Sequence, residues 1–293
     1  VKGLRNLVNK LSEALLKLGK SHEIILVDDG STDGTRELLQ TLPVHSILLN
    51  RNYGQFTAMA TGIRKAKGRI IVTMDGDLEN DPRDIEKLLK KLSEGYDVVC
   101  GWRQDRWKGE FFTRRIPSLA ANAFISWVTG VTLHDYGCNM KMYRHEILDR
   151  LKLAIYMQRM IPAYAAAEGA RITEIPVSFV PRVFGRSNYG LFRTFKVFFD
   201  AITFHFFYRY GSRPMHFFGI AGFLSFFIST IVFIWMLFLK FFEHISFIKT
   251  PLPVLAAIFL VIGIQFVLMG LLAELIIRHT PKEVEHYKEI DIK

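Results

Sequence analysis

Two short acidic stretches in this 293-residue chain have the residue types and spacing for phosphate and metal chemistry. One is Asp75-Gly76-Asp77, which closes the apolar run Ile70, Ile71, Val72 and Met74. Residues two apart on an extended chain share a side, so both carboxylates leave the strand end together. Gly76 lets the backbone turn and keeps the space beside it open. Such a pair offers hard oxygen donors suited to Mg²⁺ or Mn²⁺, ions that usually hold a phosphate as well. The other is Asp28-Asp29, which ends a second apolar run and leads into Gly30-Ser31-Thr32-Asp33-Gly34-Thr35. A plain polar turn is the alternative for either, since Asp-Gly is a common turn dipeptide.

The surrounding pattern says which elements position them. Leu4, Leu7, Val8, Leu11, Leu15 and Leu18 recur at helical spacing and predict an amphipathic helix over 3–18. Strands are predicted at 23–28, 46–50, 69–75 and 97–101, with helices at 35–42, 55–66 and 84–93 between them. Strands alternating with helices at this pace mean an α/β fold with a largely parallel sheet, whose ligands bind at the carboxyl ends of the strands. Both acidic stretches fall on that edge, which favours a site over two unrelated turns. Residues 113–129 read as a helix with Ile116, Leu119, Ala120, Ala123, Phe124 and Trp127 on one face. A turn-rich stretch, 134–139, leads into 140–143, and a helix near 160–168 and a strand at 172–180 follow.

Half the residues are hydrophobic, with 25 Phe, and the formal net charge is +10. That charge suits membrane phospholipid or phosphorylated small molecules. No nucleic-acid-binding motif accompanies it, so nucleic acid is not an expected partner. Cys100 and Cys138 make neither a disulfide framework nor a metal pattern, and fit a reducing compartment. From 191 onward the character changes. Phe192, Phe195, Phe198, Phe199 and Ile202 alternate with Arg193, Lys196 and Asp200, which predicts an interfacial helix over 191–212. Residues 214–239 and 253–277 are each long and apolar enough to span a bilayer, which takes about 20 residues. Arg209 and Arg213 precede the first span; Arg278, His279 and Lys282 follow the second; the connection carries Lys240, Glu243 and Lys249. The positive-inside rule then places both termini and the α/β part in the cytoplasm. The expected organisation is an α/β domain at 1–190, an interfacial helix at 191–212, a hairpin at 213–280 and a tail at 281–293. Gly219, Gly222, Gly263 and Gly270 offer close packing within the hairpin or between copies, which leaves a homo-oligomer open.

Four motifs in order resemble the family 2 glycosyltransferases of the GT-A fold: VDDGSTDGT (27–35), NYGQ (52–55), DGDLEN (75–80) and DYGC (135–138). With the paired spans, the chain is more narrowly similar to the polyprenyl-phosphate glycosyltransferases, such as those acting on dolichyl or undecaprenyl phosphate. The DYGC stretch with MKMYR leans towards the aminoarabinose transferases. The resemblance implies a GT-A domain with a central first strand ending in a Pro-x-Tyr-Asn-Glu motif. The sequence starts in the helix that would follow it, so the chain is expected to be N-terminally truncated. By position, the resemblance implies that Asp28, Asp29, Asp75 and Gln55 hold the donor nucleotide. Asp75, Asp77 and Glu79 hold Mg²⁺ or Mn²⁺, and Asp77 and Asp135 are the catalytic pair. Arg103, Arg114, Arg182 and Ser187 collect the acceptor phosphate. Arg182, Gly185, Ser187 and Tyr189 match the family's R-x-x-G-x-S-x-Y loop, with Asn188 where Lys is usual; Arg186 is a further candidate.

The implied reaction is inverting transfer of a sugar from a nucleotide diphosphate, with a lean to UDP, onto a polyprenyl monophosphate. The rivals are a polysaccharide or glycolipid synthase of the same superfamily and a non-catalytic membrane scaffold. The Gln-x-x-Arg-Trp motif usual in processive synthases is absent. Sugar identity and polyprenyl length leave no mark in the residues.

Overall fold

The computed structural model describes residues 3–104, 106, 115–151, 159–180, 192–211 and 213–279. It divides the chain into two compact units, Val1–Phe204 and His205–Lys293.

In the first unit, α1 (Leu4–Lys17) buries Leu7, Val8 and Ala14. Then β1 (Ile25–Asp28), the short α2 (Thr35–Leu39) and β2 (His45–Leu48) form a parallel two-stranded sheet with one crossover. Next come α3 (Gln55–Lys65), β3 (Ile70–Thr73), α4 (Asp84–Ser93) and β4 (Val98–Trp102). They are followed by α5 (Ile116–Thr129), β5 (Lys141–Arg144), α6 (His145–Arg150), α7 (Ile161–Ala167) and β6 (Ile172–Pro176). The second sheet has the order β3-β5-β4-β6.

The expected largely parallel sheet is mixed. β4 and β6 pair in parallel, while β5 runs antiparallel to both β3 and β4. The turns at 130–139 bring the chain back beside the carboxyl end of β4, so β5 re-enters the sheet from the site edge. Gly101 makes that entry possible: its N–H donates to the Met140 carbonyl at 2.9 Å. A Cβ on Gly101 would sit 2.9 Å from the same oxygen and 3.1 Å from Cys138 Sγ. Strand alternation then sorts the core onto two faces. Val98, Cys100 and Tyr143 pack with Ile125 of α5 and Ile161 of α7, while Val99, Met140 and Met142 pack with Ile85, Leu88 and Leu92 of α4. Each fully buried aliphatic side chain there stabilises the fold by about 1.5–3 kcal/mol.

Among the described residues no strand lies between β1 and β3, so each pairs on one side only. A cavity of about 1990 Å³ opens between them, lined by both strands and by Leu7, Leu11 and Leu15 of α1. Asp28, Asp29, Gln55 and Asp75 also line it. The acidic stretches therefore share one cavity, as the strand-edge argument expects.

A further helix, α8 (Phe192–Tyr210), runs across the division between the units. The second unit holds α9 (Pro214–Phe241) and α10 (Leu252–His279), joined through a 3₁₀ turn at Phe247–Lys249. Both are long and apolar enough to cross a membrane. Glycine lets them approach closely. A Cβ on Gly222 would lie 3.2 Å from the Gly263 carbonyl, and one on Gly263 2.6 Å from the Phe226 ring. Ser229 Oγ donates to the Ala256 carbonyl across the pair at 2.8 Å.

Candidate active site

Asp28 is the last residue of β1 and is buried. Its carboxylate accepts the Ser31 N–H at 3.1–3.2 Å and Arg36 Nε–H at 2.9 Å. Burial pushes its pKa up, but Ser31 and Arg36 together outweigh that and hold it below the ordinary carboxylate range. Asp29 accepts the Tyr53 N–H at 2.7 Å and the Gly54 N–H at 2.9 Å, which fixes the entry to α3. Between these two loops Gly30 has φ +81°, and a Cβ there would fall 2.5 Å from Arg51 C and Asn52 N. Only glycine fits that crossing.

Asp75 lies two residues beyond β3 and lines the cavity. Asn139 Nδ2 lies 2.9 and 2.7 Å from its two oxygens, and Gln55 Nε2, at the start of α3, donates to Oδ1. Burial and the neighbouring Asp77 charge push its carboxyl above the usual range, against the Asn139 hydrogen bond. Asp77 accepts the Glu79 N–H at 3.0 Å. Leu78 between them has φ +62°, a left-handed conformation that non-glycine residues rarely adopt. The turn and the acidic site are thus one structure, with Asp77 closing the bend that aims it.

Glu79 faces elsewhere, its carboxylate 3.8 Å from Arg103 Nη1. Arg103 follows β4 directly, and its side chain is 2% exposed. Its Nε–H and Nη2–H donate to Asp135 Oδ2 and Oδ1 at 2.8 and 3.1 Å, a bidentate ion pair. Burial pushes Asp135 up, and the Arg103 guanidinium more than offsets it, leaving the carboxyl below its ordinary range. The same pairing pushes the Arg103 pKa up despite burial. Lys141, also buried, donates to the Tyr136 carbonyl at 3.2 Å. Polar side chains of α5 brace the turn that carries Asp135: Asn122 Nδ2 donates to the His134 carbonyl at 2.7 Å, and Thr129 Oγ1 bonds Tyr136 Oη at 2.9 Å.

Residues 2–152 match the family model described as Glycosyl transferase family 2. The chain belongs to that family. Among relatives, the dodecaprenyl-phosphate galacturonate synthase of Rhizobium johnstonii is 40% identical over 281 residues, covering 93% of this chain and 83% of its own length. The undecaprenyl-phosphate 4-deoxy-4-formamido-L-arabinose transferase of Pseudomonas aeruginosa is 33% identical over 278 residues, covering 92% of this chain and 80% of its own. In fold, mannosyl-3-phosphoglycerate synthase from Rubrobacter xylanophilus superposes with a TM-score of 0.54 at 12% identity, over 70% of each chain. The protein is a glycosyltransferase.

For a family 2 glycosyltransferase a divalent cation is the implied cofactor, and the residues fit one in a specific way. The expected grouping of Asp75, Asp77 and Glu79 is not formed: among the described residues no three metal-ligating side chains converge, and Glu79 turns to Arg103. What remains is Asp75 and Asp77; burial, with the charge of Asp77, raises the Asp75 pKa. Mg²⁺ is commonly bound by one or two carboxylates, with waters and substrate phosphates completing the shell. Asp75 and Asp77 fit that mode.

Arg114, Arg182, Arg186 and Ser187 lie outside the described residues. Cys100 and Cys138 are buried free thiols; burial pushes Cys100 up to about 12 and raises Cys138, which suits packing rather than nucleophilic chemistry. Sequence reasoning missed three members of the site. Asn139 holds Asp75, Arg36 holds Asp28, and buried Lys141 holds the Tyr136 carbonyl next to Asp135. Lys141 alone left a signal, as the lone cation between Met140 and Met142.

Proposed function

We propose that this protein is a membrane-anchored inverting transferase that moves a sugar from a nucleotide diphosphate, a UDP-sugar, to a polyprenyl phosphate on the cytoplasmic face. One observation carries the reading. Asp75 and Asp77, at the end of β3, and the bidentate Asp135–Arg103 ion pair stand on a chain that also bears two bilayer-length helices. The names of both relatives, which carry dodecaprenyl and undecaprenyl phosphate, support the acceptor class.

In this reading Asp28, Asp29 and Gln55 line the donor end of the cavity. A divalent ion bound at Asp75 and Asp77 supplies charge neutralisation for the departing diphosphate. The acceptor is a phosphate monoester with a second pKa of about 6, so it is largely ionised near neutral pH without a strong general base. Asp135 suits that need, because Arg103 keeps it ionised and makes it a poor proton acceptor. It orients the reacting groups. In-line attack on the anomeric carbon, through an oxocarbenium-like transition state, inverts the configuration. The arginines outside the described residues, with Ser187, collect the acceptor phosphate.

The test is transfer of label from a panel of nucleotide sugars into the organic phase. It uses membranes that express the chain, supplied with Mg²⁺ and polyprenyl phosphate, with Asp77→Ala as control. Transfer from one donor that vanishes in the variant supports the reading and names the sugar. No lipid-linked product from any donor, in folded and inserted protein, sinks it.

A further inference from the structure

Two dipeptides meet twice beside the site. Arg103 and Asp135 form the buried bidentate pair, and the residues just before them, Trp102 and His134, stack on each other. The stacked rings have centroids 4.2 Å apart and planes 18° from parallel. Strand alternation explains how a third residue joins them. Trp102 ends β4 on the face of Cys100, and the register sets Cys100 opposite Glu174 and Trp102 opposite Pro176 of β6. Glu174 and Trp102 are therefore diagonal neighbours on one face of the sheet. The Glu174 carboxylate accepts the His134 N–H at 2.9 Å through Oε2, and its Oε1 bonds His134 Nδ1. From α5, Asn122 Nδ2 donates to the His134 carbonyl at 2.7 Å.

His134 is thus held through its ring, its N–H and its carbonyl, although its side chain is 54% exposed. Fixing an exposed side chain costs rotamer freedom. What the fixed residue determines is the place of the next one in the chain. Asp135 is gripped on its other flank too, where Lys141 donates to the Tyr136 carbonyl at 3.2 Å. We infer that His134 is a positioning residue for sugar transfer: stacked on Trp102 and tied to Glu174, it sets the approach of Asp135 to Arg103. The inference rests on the role proposed above for Asp135, which orients the reacting groups.

The test compares His134→Ala and His134→Phe in the full chain, by sugar transfer in membranes and by thermal unfolding in detergent. His134→Ala should lower kcat about tenfold and leave the donor KM within about twofold, as expected when an orienting group is displaced. His134→Phe keeps a ring on Trp102 and the backbone bond to Glu174, so it should recover most of the loss. An unchanged kcat for His134→Ala, or a loss that His134→Phe leaves in full, overturns the inference. A loss carried by the donor KM also overturns it, because His134 would then be a donor contact. The unfolding arm needs no transfer activity. His134→Ala should lower Tm less in an Asp135→Asn background than in wild type, since the pair it positions is already broken there. Equal shifts in the two backgrounds overturn the inference. No transfer by the wild type sinks the proposed function, and the unfolding arm still decides whether His134 positions the pair.

Discussion

The two acidic regions of the catalytic unit solve the same electrostatic problem in opposite ways. Asp135 is buried and neutralised from within, by a two-pronged Arg103 that also lies within 3.8 Å of Glu79. Asp75 is half-buried, its hydrogen-bond partners are the neutral amides of Asn139 and Gln55, and the strongest charge acting on it is the like charge of Asp77, ahead of Arg103 and Lys141. Burial disfavours the charged carboxylate at both places, and the sign of the neighbour decides the outcome. A closed ion pair makes a rigid locator; a carboxylate held by neutral amides beside a second carboxylate suits a cation. The difference separates a part of the site complete in itself from a part that, in the proposed function, a cation would complete.

The largest expected effect comes from removing a receptor carboxylate. Asp77→Ala should lower sugar transfer by about a thousandfold, the scale of losing a principal electrostatic contact to the transition state, while leaving thermal unfolding of the detergent-solubilised chain nearly unchanged. Wild-type-like transfer would end the claim that this side holds the departing group. Breaking the locator should act on stability instead. Arg103→Ala strands Asp135 as a buried charge, at a cost of about 3–5 kcal/mol, and Arg103→Ala with Asp135→Asn should recover part of the loss. Additive losses in that cycle would mean the two side chains do not act as a pair.

A smaller effect belongs to Asn139→Ala. Losing a hydrogen bond to a charged group costs about 1.5–3 kcal/mol, so the efficiency of donor use should fall roughly tenfold or more through a higher donor KM. The acceptor KM should stay put, and a shift there instead would place Asn139 with the wrong partner. Smallest and most diagnostic is the pH dependence of Asp75→Asn. Because the folded pKa of Asp75 is raised, its contribution to stability is present below the unfolded value of about 3.9 and lost as pH rises through the folded one. The variant should therefore gain Tm over wild type in divalent-free buffer, by a few degrees at most, and gain more at pH 7 than at pH 4. Asp135 has the opposite sign. Its contribution is present above about pH 3.9 and lost as pH falls through its depressed folded pKa, so wild type itself should weaken in acid. A Tm difference for Asp75→Asn that does not vary with pH would remove the contrast between the regions.

What the chain's residues determined by themselves was periodicity and edge placement. Apolar runs ending in Asp28 and Asp75 put both acidic stretches at the carboxyl edge, and 84–93 appears unchanged as α4 (Asp84–Ser93). The apolar spans near 214–239 and 253–277 needed only a few residues at their ends. Local rules suffice there, because periodicity and span length are properties of neighbouring residues. Tertiary structure decided the partners. Asn139 and Asp75 are 64 positions apart, Arg103 and Asp135 are 32 apart, and β5 turns antiparallel between strands that local pattern expects to run together. It also decided which way α5 faces. The apolar stripe of that helix was visible from spacing alone, but spacing cannot distinguish a stripe turned to a core from one turned outward. That choice is made by the polar side chains that find backbone partners in a turn the fold brings alongside.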